Sequence, residues 1–162
     1  MVTKERIQNA IESKWRLEQC VTMLIVYAVV AMLTFLHMLL EGQHYSDWSE
    51  TAVLVLVVLA IVMLPFILYP LWKYFWMIWE WGNYKAYEVM LDRPNTSWLY
   101  KGAIYYTVRF HDEFGNLVIM DTKPIFSGGM FARFHLDTFN NKTVTVYYDA
   151  KRERLLVGYL KG

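Results

Sequence analysis

Thr51 to Trp72 reads TAVLVLVVLAIVMLPFILYPLW, 22 residues without a formal charge, and Val21 to Leu40 reads VTMLIVYAVVAMLTFLHMLL, 20 more. At about 1.5 Å rise per residue, each run makes a helix roughly 30 Å long, the thickness of a bilayer's hydrocarbon core. A helix of that length in a soluble core keeps a polar stripe for water, and neither run has one. A charge-free apolar run of this length reads as a membrane span. The ten residues Glu41 to Glu50 between the runs are few, so the two helices form an antiparallel hairpin. The first run exceeds the usual signal-peptide core, and Glu41-Gly42-Gln43-His44 after it offers no small-x-small cleavage site.

The rest of the composition agrees. Residues are 56% hydrophobic and 19% charged, where soluble domains carry about 25% charge. Net charge is +1, which provides no basic field for nucleic acid. A single cysteine, Cys20, excludes an internal disulfide and a cysteine-rich zinc module. Basic residues set the orientation. Lys4, Arg6, Lys14 and Arg16 precede the first run, and Lys73, Lys85, Arg93 and Lys101 follow the second. The connecting loop carries Glu41, Asp47 and Glu50 and no Lys or Arg. The positive-inside rule then places both termini in the cytoplasm of a multi-pass protein.

Outward from the spans lie two flanks. Residues 1–20 read as an amphipathic interfacial helix: Ile7, Ile11 and Trp15 recur every four residues beside Ala10, edged by charge. Packing of that stripe on the C-terminal domain explains it equally well, because an apolar face does not name its partner. After the second run, residues 72–81 form an aromatic belt with Trp72, Lys73, Trp76, Trp79 and Trp81 at the membrane interface. The helix continues through the belt until Gly82-Asn83, with Pro65 and Pro70 predicting a bend. Intramembrane polar side chains are Tyr27, Thr34 and His37. With no second ionisable group in either core to complete a relay, His37 reads as hydrogen-bonded to the other helix.

From residue 82 the period changes to two. In AIYYTVRF (103–110), Ile104, Tyr106, Val108 and Phe110 share one face. A turn at His111 to Asn116 leads into a strand over Leu117–Thr122, and TVTVYYD (143–149) puts Val144, Val146 and Tyr148 inward. A strand over Tyr84–Asp92 and a last one over Glu153–Leu160 bring the number to about five. Met130–Phe139 fits either strand or helix, after a flexible break at Ser127-Gly128-Gly129. The predicted fold is a two-helix transmembrane hairpin (residues 21–81) followed by a small antiparallel β-sheet or barrel, a cytoplasmic β-domain over 82–162.

The pattern of Tyr106, Val108, Phe110 and Gly115, then Gly128-Gly129, then Val144-x-Val146-x-Tyr148-Asp149, resembles a broad family of small bacterial membrane proteins of unknown function. Those pair one or two membrane helices with a compact β-domain, and often end in V-x-V-x-Y-D-P. Here Ala150 stands where the proline usually follows. The resemblance covers residues 84–158 and implies an architecture and a place in a bacterial inner membrane, not a reaction.

Chemistry is sparse. His111-Asp112-Glu113 and His135-x-Asp137 match no metal-ligand spacing and read as solvated turn residues. No phosphate loop or nucleophile elbow is present, so the residues call for no cofactor, metal or catalytic group. Lys151, Arg152 and Arg154 form the densest basic cluster, a possible partner or lipid contact set against an ordinary solvated hairpin. The expected function is a non-enzymatic, membrane-anchored binding protein, a complex subunit or a toxin-immunity or exclusion-type blocker. Its partners are the lipid bilayer and a membrane protein or a second copy. The competing expectation is a ligand-gated effector whose β-domain binds a small molecule through Tyr105, Tyr106, Tyr147 and Tyr148, and whose helices oligomerise.

Overall fold

The computed structural model describes residues 2–41, 47–96, 98, 102–127 and 134–158. A short helix α1 (Lys4–Gln8) precedes two long ones, α2 (Ile11–Glu41) and α3 (Asp47–Trp79). A 3-10 turn (Trp81–Asn83) leads into β1 (Lys85–Leu91), β2 (Pro94–Thr96), β3 (Ile104–His111) and β4 (Leu117–Asp121). The helical turn α4 (Leu136–Phe139), then β5 (Lys142–Asp149) and β6 (Arg154–Val157), complete the order. The chain divides into two compact units, one of Met1–Lys14 with Met77–Gly162, the other Trp15–Trp76.

The helical unit is built as its composition dictates. Each of α2 and α3 contains a 27-residue segment, Ile11–His37 and Val53–Trp79, long and apolar enough to cross a membrane, with mean hydropathy 2.2 and 2.8. Their side chains are largely uncovered: only 6% of the most apolar window of each is buried. On α2 the half-buried positions Met23, Tyr27, Val30, Ala31 and Thr34 trace one stripe at helical spacing. The Cys20 thiol, itself buried, donates to the Ile67 carbonyl at 3.4 Å and ties α2 to α3. The helical assignment of α3 runs unbroken through Pro65 and Pro70.

In the β-unit, pairing yields two three-stranded antiparallel sheets, β1-β5-β6 and β2-β3-β4, in place of the single five-stranded sheet or barrel the sequence predicts. The additional strand is β2, exposed at all three residues and therefore without an inward-outward signature. It is held by pairing with β3 (Asn95 opposite Tyr105) and by the Asn95 amide donating to Thr107 Oγ1 at 3.1 Å. The sheets meet through aromatic rings. Tyr87 of β1 lies 4.6 Å from Phe110 of β3, which lies 5.3 Å from Tyr148 of β5. Deeper in, Phe126 packs edge-on against Tyr106 at 5.0 Å and near Phe139 at 5.2 Å. Thr122 leaves the predicted end of β4 and instead accepts the Tyr106 N–H at 2.9 Å.

The second face of β1-β5-β6 is also covered, which the alternation of β5 does not reveal. Tyr147 and Leu156, opposite each other in the register, pack in one buried cluster with Val2, Ile7, Ala10, Met77 and Tyr84. The N-terminal segment is therefore a part of this unit. It is not one continuous helix over 1–20: Asn9 ends α1, its side-chain amide donating to the Glu5 carbonyl at 3.0 Å, and α2 starts at Ile11. Of the two partners the sequence leaves open for Ile7, Ala10 and Ile11, the structure shows them buried against protein. Gly128, Gly129 and residues 130–133 lie outside the described residues, as do 42–46 of the loop, 159–160 of the last predicted strand and 161–162 after it. Within Met130–Phe139, the described residues are Phe134, then His135 in a parallel bridge to Ser127, then the helical turn α4.

Candidate functional site

The residues with potential to bind something fall into an aromatic group, a charged cluster and a few polar groups on α2. Trp72, Trp76 and Trp79 stand at i, i+4 and i+7 of α3 and so share one face of that helix. Trp72 and Trp76 rings lie 5.4 Å apart. Trp79 is 88% exposed, which leaves its whole indole available. Lys73 is half-buried with its ammonium 5.7 Å over the Tyr69 ring, and Trp81 lies in the 3-10 turn. Aromatic rings with one polar edge and a lysine on an apolar stem are the chemistry of a membrane-water boundary.

The basic cluster over Lys151, Arg152 and Arg154 is partly spoken for. Arg152 pairs with Glu80, the residue next after α3, and lies 3.6 Å from Asp149. Arg154 lies 3.9 Å from the second oxygen of Glu80. Asp149 is almost fully buried and accepts the Lys151 N–H at 3.0 Å, closing the β5–β6 turn. Together these pairs fasten that turn to the exit from α3. Of the three basic residues the sequence singled out, Lys151 is the one left exposed. Tyr84, buried beside this cluster, has its hydroxyl pKa pushed up to about 12, chiefly by burial; the Arg154 charge opposes that and Asp149 and Glu80 reinforce it.

Sequence reasoning missed Glu12, which is buried and whose Oε2 accepts the Val157 N–H at 2.8 Å. Its place among other charges of the N-terminal segment gives no signal of that contact. Glu80 and Asp149 were likewise invisible, because their partners come from residues whose approach depends on the fold. On α2, Tyr27 and Thr34 are half-buried on the same stripe, and the Thr34 hydroxyl donates back to the Val30 carbonyl at 2.9 Å. His37 is exposed. The four tyrosines of a conceivable ligand pocket do not converge. Tyr106 and Tyr105 alternate across β3, and Tyr148 faces the Phe110 side of its sheet while Tyr147 faces the N-terminal segment.

An open cleft of about 760 Å³ lies between the N-terminal segment and the outer face of β1 and β5, lined by Arg6, Asn9, Lys14, Glu88 and Tyr147 among others. Its lining mixes both signs of charge, with Arg6 and Lys14 beside Glu5 and Glu88. Among the described residues no three His, Cys, Asp or Glu side chains gather where a metal ion could sit. Comparison with family models, with curated proteins and with solved structures finds no match to this chain.

Proposed function

We propose that this chain is a membrane-anchored, non-enzymatic interaction protein. In this reading α2 and α3 cross a bacterial inner membrane as a hairpin, and the β-unit is held in the cytoplasm to engage another membrane protein or a second copy of itself. The observation that carries it is the apolar surface left uncovered on the two long helices. Leu33, Phe35, Leu39, Leu54, Ile61 and Phe66 are each more than half exposed. A contiguous apolar surface of that extent is unstable in water and at home in lipid.

The side chains at the ends of these helices support the same reading. Trp72, Trp76 and Trp79 on one α3 face, with Lys73 beside them, suit a headgroup layer. Basic residues before the first charge-free run and after the second, against acidic residues between the runs, favour both termini inside. The interaction role rests on economy: among the described residues of the β-unit no metal-ligand cluster gathers, and a packed small unit serves as a presenting surface. The resemblance to small bacterial membrane proteins with a compact β-domain agrees with this architecture.

The test is fractionation followed by capture. The chain expressed in bacteria should remain with membranes after alkaline carbonate, and a reporter joined after Gly162 should be active only in its cytoplasmic form. Purification in mild detergent should then retain a stoichiometric partner or a defined homo-oligomer. A purified chain that stays folded and dispersed with no detergent overturns the proposal.

A further inference from the structure

The two sheets of the β-unit end in four edge strands, β1, β6, β2 and β4, and three of them are guarded. β2 is three residues long and opens on Pro94. The N–H of Val157 on β6 is taken by the Glu12 carboxylate. β1 carries Lys85 and Glu88 along its length. Shortness, proline and charge are the usual ways of keeping an edge from pairing with another chain. β4 (Leu117–Asp121) has no proline, glycine or lysine, and its one charge stands at its last residue. It pairs with β3 residue for residue, from Leu117 opposite His111 to Asp121 opposite Thr107, without a bulge.

The direction of its backbone groups follows from the ladder. The Asn116 carbonyl accepts the Asp112 N–H at 3.0 Å, and the Thr122 N–H donates to the Tyr106 carbonyl at 2.8 Å. Antiparallel pairing alternates, so Val118 and Met120, in phase with those two, turn N–H and C=O toward β3. Leu117, Ile119 and Asp121 turn theirs away from it, and among the described residues nothing bonds to these outward backbone groups. The side chains of Leu117 (57% exposed) and Ile119 (53%) are uncovered as well. They share a sheet face with Thr107, Arg109 and His111 of β3.

We propose that β4 is a self-pairing edge, through which two copies of this chain join their β2-β3-β4 sheets about a two-fold axis at Ile119. The pairing rests on the interaction reading above and deepens it, naming a second copy as the partner and β4 as the strand that binds it. In this register Ile119 faces the partner's Ile119, and Leu117 faces the partner's Asp121. The outward N–H and C=O groups of both strands then satisfy one another. Charge makes the edge its own complement. Asp121 and Lys123 stand at the C-terminal end of β4, and His111, Asp112 and Glu113 stand beside its N-terminal end. Antiparallel pairing brings Lys123 opposite the partner's Gly115, next to the acidic pair of that turn, of which Glu113 is shared with Lys85. It brings Asp121 across Leu117 toward His111. Parallel pairing would set Asp121 against Asp121 and Lys123 against Lys123, which is unfavourable. Five strand residues a side are few against the roughly 20–30 of a stable interface. The pair therefore forms where copies are concentrated, as confinement in one membrane provides.

The experiment uses the full chain with Cys20→Ser, in which a hydroxyl replaces the thiol donor to Ile67, so that one new thiol reports on the edge. Ile119→Cys and Leu117→Cys, both at exposed positions, are reconstituted in phospholipid vesicles and mildly oxidised. The two-fold sets the two residues 119 about 5.5 Å apart between Cα atoms, within reach of a disulfide. It sets the two residues 117 about 14 Å apart, four strand residues along, which no disulfide spans. Ile119→Cys should cross-link to a dimer about tenfold faster than Leu117→Cys, and Leu117→Cys mixed with Asp121→Cys should give a heterodimer at a rate neither reaches alone. Equal rates at 119 and 117, in chains that float with the vesicles and keep the parent's near-ultraviolet circular dichroism, overturn this inference alone. Oxidation in membranes of the expressing cells that links residue 119 to a different protein and not to a second copy puts a foreign strand on the edge and overturns it too. A chain that does not float with the vesicles removes the membrane reading and this inference with it.

Discussion

Tyr84 shows how much one side chain depends on what surrounds it. Alone, a tyrosine hydroxyl ionises near pH 10. Here, 2% exposed, it holds its proton to about 12, because burial disfavours the phenolate more than the neighbouring Arg154 favours it. Tyr106 is raised to about 12 in the same direction, by burial first and then by Asp137. The sign of the consequence is fixed by linkage. Below about pH 10 both the folded and unfolded chains keep these protons, and the stability is fully present. Between about 10 and 12 the unfolded chain releases protons the folded chain retains, so stability falls as pH rises. An ultraviolet titration of phenolate, taken as the difference between the parent chain and Tyr84→Phe, should show its step near 12. A step at the free-tyrosine value would mean that Tyr84 is not enclosed. Nothing in the sequence marks Tyr84 among 12 tyrosines, since its burial arises from Val2, Ile7 and Met77, distant in the chain or beyond the strand's own period.

At the scale of elements, legibility followed charge and period. Helices α2 and α3 are readable because their charge-free runs leave one physical solution. Strands β3 and β5 are readable because Tyr106, Val108 and Phe110, or Val144, Val146 and Tyr148, alternate with polar neighbours. Period fails where an element is too short to show one, as in β2, or where both faces are covered, as at Tyr147 and Asp149. It also cannot show which elements are joined by a single polar contact. Glu12, in the first turn of α2, receives the N–H of Val157 at the end of β6. The same strand end is tight: a Cβ on Gly158 would stand 2.6 Å from the Thr145 carbonyl oxygen, so only glycine fits there. Glu12→Ala leaves a buried N–H without its acceptor and should cost about 1–3 kcal/mol. Glu12→Gln keeps an acceptor oxygen and should cost less. Chemical unfolding of the β-unit followed by near-ultraviolet circular dichroism in one detergent compares them, and equal stability of Glu12→Ala and the parent chain would show the contact to be idle. For the candidate site, the tryptophans were legible from composition at the end of a span. The pairing of Glu80 with Arg152 and Arg154 was not, because it depends on the β5–β6 turn reaching the end of α3.

For the whole molecule, the division into units is the main departure from a linear reading of the chain. A sequence read in order yields an N-terminal flank, a hairpin and a C-terminal domain. The structure instead joins Met1–Lys14 to Met77–Gly162, so the residues entering α2 and those leaving α3 belong to one unit. That unit has two cores. One lies between the sheets, around Tyr106, Val108, Leu91 and Val146, and the other lies under the N-terminal segment, around Ile7, Tyr147 and Leu156. The second core cannot form without residues 2–10. Fully burying a Val or an Ile side chain contributes about 1.5–3 kcal/mol each, so losing Val2 and Ile7 removes roughly 3–6 kcal/mol. Domains of this size are stable by only about 5–15 kcal/mol. Deleting residues 2–10 should therefore lower the thermal midpoint of the β-unit sharply or unfold it, even though every strand is retained. Ile7→Ala alone should cost about 2–5 kcal/mol, and Lys4→Ala, at an exposed position, within about 0.5 kcal/mol. The same deletion leaves both long apolar helices intact, so the protein should still fractionate with membranes. Loss of tertiary circular dichroism with membrane association preserved is the expected pair of results. An unchanged midpoint would mean that the N-terminal segment only rests on the sheet and that the β-unit is complete from residue 77 onward.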